Sequence, residues 1–167
     1  MTAAFAVEAL AKKHRRDDFS CGVAALDRYF QEQVTQDMRR RVATCFVAVE
    51  HATQRVAAYY TLAAASVALG DLPETLRKKL PRYPTVPAVR MGRLAVAKDM
   101  AGCGLGAALL AGALARTAHL DIAAYALIVD AKDLVAADFY RHHGFNAFDG
   151  KPLMLYLPIG GLGKLLE

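Results

Sequence analysis

The segment that most constrains this chain is a strand that runs into a glycine-rich turn and then a helix. Arg93-Leu94-Ala95-Val96 is apolar and β-prone. Ala101-Gly102-Cys103-Gly104-Leu105-Gly106 follows within a few residues, and ALLAGALARTA continues with Leu105, Leu109, Leu110 and Leu114 on one helical stripe. A turn of this kind points backbone N–H groups outward, and the helix start behind it adds about half a positive charge. Gly102, Gly104 and Gly106 keep side chains out of the way. The pattern predicts an anion site for a dinucleotide, a nucleoside triphosphate or coenzyme A. The glycines do not extend into a dinucleotide fingerprint, and no Lys-Ser/Thr follows the last of them, as a Walker loop requires.

The surrounding sequence reads as alternating strands and helices. Strands are expected at 4–10, 43–50, 55–67, 88–97, 123–129, 145–148 and 153–157. Helices are expected at about 22–38, 72–79 (started by Asp71, with Pro73 in the first turn), from 105 onward, and at 133–143, closed by Gly144. His51 to Gln54 would turn the second strand into the third. The prolines at 81, 84 and 87 predict an extended loop over Leu80–Pro87. The expected architecture is α/β (α+β): one domain over 1–167, with a central mixed, mostly antiparallel sheet of six or seven strands flanked by about four helices. The chain has 167 residues, of which 33 are alanine, so much of its apolar content is small and suits close packing of helices on a sheet.

Charge narrows the function classes. Residues 1–93 carry 15 Lys/Arg against 9 Asp/Glu, whereas residues 94–167 carry 6 against 7. A basic half suggests an acidic partner, nucleic acid foremost, although solvated surface charge produces the same asymmetry. The cationic candidates are Arg39, Arg40 and Arg41 at the end of the first long helix, Arg77, Lys78, Lys79 and Arg82 around the proline loop, and Arg90 and Arg93. The last two lie inside a largely apolar strand, where a charge needs a partner or a cleft. No apolar run reaches the roughly 18 residues of a membrane span, and no export signal is evident, so a cytoplasmic protein without a membrane partner is expected. Cys21, Cys45 and Cys103 are too scattered for a disulfide framework or a zinc site, and no metal is expected. Cys103 reads either as an acyl-transfer nucleophile or as a tolerated small residue in the loop.

A second motif makes the reading specific. Asp138-Phe139-Tyr140-Arg141-His142-His143-Gly144-Phe145 follows RLAV and AGCGLG at a characteristic separation. Together they resemble the GCN5-related N-acetyltransferase (GNAT) family over nearly the whole chain. FSCGVAALDRYF (Phe19–Phe30), TCFVAV (Thr44–Val49), YYTLAAASV (Tyr59–Val67), LPRYPTVPAVRMGRLAV (Leu80–Val96) and LIVDA (Leu127–Ala131) are similar to its toxin branch in bacterial toxin–antitoxin pairs. The resemblance implies acetyl-CoA as cosubstrate, aminoacyl-tRNA as acceptor, blocked translation, a ribbon-helix-helix antitoxin and a homodimer. It implies cofactor contacts from Leu94, Ala95, Val96, the loop Ala101 to Gly106 (Cys103 and Leu105 included) and Phe139. Tyr140 would be the proton donor to the departing thiolate, and Arg39, Arg40, Arg77, Lys78, Arg90 and Arg93 would meet the tRNA. Ala101 departs from the family pattern, which carries Gln or Arg there to help hold the pyrophosphate.

The acceptor can also be argued from pKa values. A lysine amine, at about 10.4, is almost entirely protonated near neutrality, whereas an α-amino group, at about 7.7–8.0, is roughly a third neutral. The strand Ala88–Ala97 holds no Asp or Glu to serve as a base, and Glu50 and Glu74 are the conceivable substitutes from elsewhere. That fits an α-amino acceptor. Two rival functions remain at this level: an ordinary acetyltransferase of a small amine or protein N-terminus, and a non-catalytic module that binds coenzyme A or RNA.

Overall fold

The computed structural model describes residues 4–160. Seven strands hydrogen-bond in the order β1-β2-β3-β4-β5-β7-β6. They are β1 (Phe5–Ala9), β2 (Thr44–Glu50), β3 (Val56–Ala68), β4 (Thr85–Val96), β5 (Ala126–Asp130), β6 (Asn146–Phe148) and β7 (Lys151–Pro158). Pairing is antiparallel for β1–β2, β2–β3, β5–β7 and β6–β7, and parallel for β4–β5, where Ala88 faces Ala126 and Met91 faces Val129. The helices are α1 (Ala24–Arg28), α2 (Val34–Arg39), α3 (Glu74–Arg77), α4 (Leu105–Ala118) and α5 (Leu134–His142). A π-turn, Tyr29–Gln33, joins α1 to α2 as one helical run, so the helical bodies number four. The mixed, mostly antiparallel sheet and its helices match the expected fold class. Among the described residues no helix is long and apolar enough to cross a membrane.

The chain divides into two compact units. The first comprises Met1–Ala63 and Gly92–Ala113. Its core gathers Phe19, Phe30, Val34, Val47, Val49, Tyr59, Ala95 and Ala97. Phe30 stacks on Tyr59 with ring centroids 4.3 Å apart, and Phe19 meets both rings edge-on at 5.1 and 5.5 Å. Full burial of a side chain such as Phe30 contributes about 1.5–3 kcal/mol. The helix expected over 22–38 begins at Ala24, because Gly22 has φ +90° and Val23 is extended. The π-turn was not legible in the sequence. Two outside groups bond carbonyls of this helical run: the Tyr59 hydroxyl donates to Leu26 O at 2.6 Å and the Arg16 guanidinium to Phe30 O at 3.0 Å.

The second unit comprises Ala64–Met91 and Leu114–Glu167. Its core is Val67, Leu72, Val86, Ala88, Ile128, Phe148 and Tyr156. The Asp133 side chain caps α5 by accepting from Ala136 N at 2.8 Å. The proline region corrects the sequence reading twice. Helix α3 is a single turn whose N-cap is Pro73, while Asp71 belongs to a preceding 3-10 turn, Leu69–Asp71. The extended loop ends early, since β4 already starts at Thr85 and includes Pro87. Proline has no N–H to give to a ladder, but its carbonyl accepts from Tyr125 N at 2.8 Å, so it is tolerated at the strand's beginning.

Candidate active site

In the first unit, β4 leads through a 3-10 turn (Lys98–Met100) and residues 101–104 into α4. This entry is pinned at several points. Ala97 N donates to Ala57 O at 2.8 Å, Lys98 N to Ser20 O at 2.9 Å, and the Arg55 guanidinium pairs with the Asp99 carboxylate. That pair holds the Asp99 carboxyl below its ordinary range. Gly102 and Gly104 sit at φ +80° and +84°, and a Cβ at either would meet nothing within 4 Å. Glycine is required there by conformation, and the turn stands open. The bond from Ala108 N to Gly104 O, at 3.1 Å, closes the first turn of α4. The N–H groups of Leu105, Gly106 and Ala107 precede it and have no carbonyl in their own helix to bond. No acidic side chain occupies the first turn of α4, and buried Leu105, Leu109 and Leu110 hold the helix in place. These features suit a phosphate or pyrophosphate.

The strand ahead of the loop alternates. Ala95 and Ala97 enter the core, while Leu94 and Val96 are half-buried on the other face. Ala101 is exposed, with φ −66° and ψ 145°. Cys103 is exposed and its thiol donates to Met100 O at 2.9 Å, whereas burial pushes the Cys45 thiol up to about 12.

The second unit carries Tyr140. It lies in the last turn of α5, 4% exposed, with Phe139 edge-on at 5.3 Å and Phe145 at 5.7 Å. Burial, and secondarily the Asp130 carboxylate, raise its phenol above the ordinary value. Tyr140 therefore stays protonated throughout the neutral range. Phe139 is half-buried, and its ring lies 4.7 Å from that of His143, which closes the helix. In the same unit one guanidinium nitrogen of Arg90 donates to both oxygens of Asp130, each at 2.9 Å.

The basic candidates divide between the units. Arg39, Arg40 and Arg41 are exposed at the end of the α2 run, and the guanidinium carbon of Arg93 lies over the Tyr29 ring, 3.4 Å from its centroid. Arg77, on α3, and Lys78, its C-cap, are exposed, Lys78 pairing with Glu74 at 3.8 Å, and Arg82 is exposed in the proline loop. The two substitute bases have other partners: Glu74 has Lys78, and Glu50 accepts from the Thr53 hydroxyl in the β2–β3 turn at 2.6 Å. Among the described residues no group of three or more His, Cys, Asp or Glu is placed to hold a metal ion. Sequence reasoning missed Asp130, although a carboxylate ending an apolar strand is a visible signal. It also missed Tyr29 and Asp37, whose side chains bond across the π-turn.

Comparison with known proteins fits this geometry. Residues 41–147 match the model of the Acetyltransferase (GNAT) domain. A tRNA-acetylating toxin of Mycobacterium tuberculosis is 34% identical over 141 residues, which are 83% of this chain and 82% of that protein. The structure of AtaT complexed with acetyl-methionyl-tRNAfMet has a TM-score of 0.88 at 26% identity, covering 98% of this chain and 99% of that one. AtaTR bound with AcCoA has a TM-score of 0.84 at 26% identity, covering 99% of each.

Proposed function

The chain belongs to the GNAT acetyltransferase family, and on that premise we propose that it transfers the acetyl group of acetyl-CoA to the α-amino group of an aminoacyl-tRNA, so blocking translation. The observation that carries this reading is the correspondence, over 98% of the chain, to a protein solved with acetylated methionyl-tRNA.

The residues suit each task of the reaction. The turn Ala101 to Gly106 and the first N–H groups of α4 receive the pyrophosphate. Leu94 and Val96 line the pantetheine arm, and Phe139 is assigned to the cofactor by the family pattern. The neutral amine attacks the thioester carbonyl; the C–N bond forms and the C–S bond breaks. Backbone N–H groups of Leu94 and Val96 stabilise the oxyanion; Ala97 N bonds Ala57 O, and by strand alternation these two point the other way. Tyr140 gives its phenolic proton to the thiolate, and the proton lost by the nitrogen passes to water, from which the phenolate is reprotonated. No dedicated base is needed for an amine of pKa about 7.7–8.0. Charged tRNA is a cytoplasmic substrate. The toxin name of the mycobacterial relative supports an antitoxin partner, and we extend the reading to a ribbon-helix-helix antitoxin and a homodimer.

The test uses labelled acetyl-CoA and a pool of aminoacylated tRNA. Label is expected in charged tRNA only, and far more slowly with the Tyr140→Phe variant. Label in small amines or peptides but not in tRNA would overturn the acceptor. Retained acetyl-CoA with no acceptor at all would overturn the reaction.

A further inference from the structure

The π-turn creates an arrangement that the reaction described above does not use. Tyr29, 8% exposed, donates its hydroxyl to Asp37 Oδ2 at 2.7 Å, and Gln33 donates to Asp37 Oδ1 at 3.1 Å. Both carboxylate oxygens are thus turned onto their own helix. The bond from Tyr29 leads the influences that hold the Asp37 carboxyl below its ordinary range, and Arg93 and Arg40 add to them. The guanidinium of Arg93 lies over the Tyr29 ring face, 3.4 Å from the centroid. Among the described residues no carboxylate forms an ion pair with Arg93. A guanidinium stacked by its face keeps its in-plane N–H donors directed away from the ring, and that fork matches a phosphodiester. Stacking also fixes an otherwise flexible side chain before any ligand arrives, which lowers the ordering cost of binding.

We propose that Tyr29, anchored by Asp37, is a positioning residue that presets Arg93 to grip a backbone phosphate of the RNA acceptor. This rests on the tRNA reading and deepens it. The sequence gives Arg93 as one cation among many, whereas the structure singles it out by its platform.

The experiment compares wild type with Arg93→Gln, Tyr29→Leu (ring lost) and Tyr29→Phe (ring kept, Asp37 bond lost). Thermal melting confirms folding. Steady-state kinetics give KM and kcat for charged tRNA and KM for acetyl-CoA, and binding of uncharged tRNA is followed from 50 to 200 mM salt. Arg93→Gln is expected to raise KM for charged tRNA about tenfold and to lessen the slope of log affinity against log salt by about one. Tyr29→Leu is expected to raise the same KM about fivefold, and Tyr29→Phe about twofold, with KM for acetyl-CoA unmoved. An unchanged tRNA KM and salt slope in folded Arg93→Gln or Tyr29→Leu overturns the proposal. So does an equal rise in the acetyl-CoA KM, which marks a merely structural role. If wild type binds tRNA but acetylates none, the acceptor reading falls while the salt slopes still decide the role of Arg93. If wild type binds no RNA, both fall.

Discussion

Arg90 and Arg93 lie three residues apart on β4, so their side chains leave opposite faces of the strand and enter different surroundings. Arg90 belongs to the second unit, and one of its nitrogens is shared between both oxygens of Asp130. Arg93 belongs to the first unit and rests on an aromatic ring, and among the described residues no carboxylate forms an ion pair with it. Both attachments are energetically modest: about 0–1 kcal/mol for a pair as exposed as Arg90–Asp130, and about 0.5–2 kcal/mol for a cation over a ring. The useful difference is donor availability. An ion-paired arginine has given part of its hydrogen bonding to the protein, whereas a stacked one keeps its fork for a ligand. The same contrast extends to what accompanies each arginine. The first unit supplies the open glycine turn and the stacked Arg93, to which we assign binding. The second supplies Tyr140, under the influence of Asp130, to which we assign proton transfer.

This division makes the sharpest test a split between kinetic constants. Tyr140→Phe removes the proposed proton donor and keeps the ring packed between Phe139 and Phe145. kcat is expected to fall by about 10²–10⁴-fold, with KM for acetyl-CoA near its wild-type value. A loss confined to KM would break the assignment of chemistry to the second unit. Gly104→Ala attacks the other side. A Cβ there clashes with nothing, but φ +84° costs an alanine about 1–2 kcal/mol. KM for acetyl-CoA is expected to rise about 5–30-fold at unchanged kcat. A comparable fall in kcat would show that the turn also shapes the reacting end.

The fold and the glycine turn were legible because they rest on local rules: apolar periodicity, glycine at positive φ, and a helix start after a strand. Tyr140 and the loop came from motif resemblance together with the protonation state of a phenol. What stayed hidden depends on register or on pairing across sequence. The bond from Tyr29 to Asp37 spans the π-turn, and nothing in YFQEQ advertises a wide turn. Asp130 sits 40 residues beyond Arg90, so only the parallel β4–β5 pairing brings the two together. Pro87 reads as a loop residue in isolation, and the hydrogen bond from Tyr125 N makes it a strand residue.

The pH dependence tests the comparison from the substrate side. Burial and Asp130 shift the Tyr140 phenol upward, so its donating form persists well past pH 9 and it adds no falling limb below that. The acceptor amine, with a pKa of about 7.7–8.0, gains its reactive neutral form as pH rises. kcat/KM is therefore expected to climb more than tenfold from pH 6.5 to 8.5, with its midpoint at the amine's pKa, and then to level off. A fall between pH 8 and 9 would mean that a protein acid with a much lower pKa is donating. The Tyr140→Phe variant should keep the same rising limb at lower amplitude, because that limb belongs to the substrate.

The smallest expected effect concerns Ala101, where the family pattern carries Gln or Arg. The site is exposed, and its φ of −66° and ψ of 145° suit any L-residue, so Ala101→Gln introduces no backbone strain. One regained hydrogen bond to the pyrophosphate contributes about 0.5–1.5 kcal/mol, a two- to tenfold drop in KM for acetyl-CoA. Because the gain falls on binding alone, kcat and the tRNA KM should hold still. If Ala101→Gln leaves the acetyl-CoA KM unchanged, then the backbone N–H groups of the turn and the start of α4 already saturate the phosphates, and the side chain at this position is dispensable in this chain. If kcat rises with it, the grip on the pyrophosphate also sets the thioester's alignment, and the division between a binding unit and a chemical unit is less clean than the two arginines of β4 suggest.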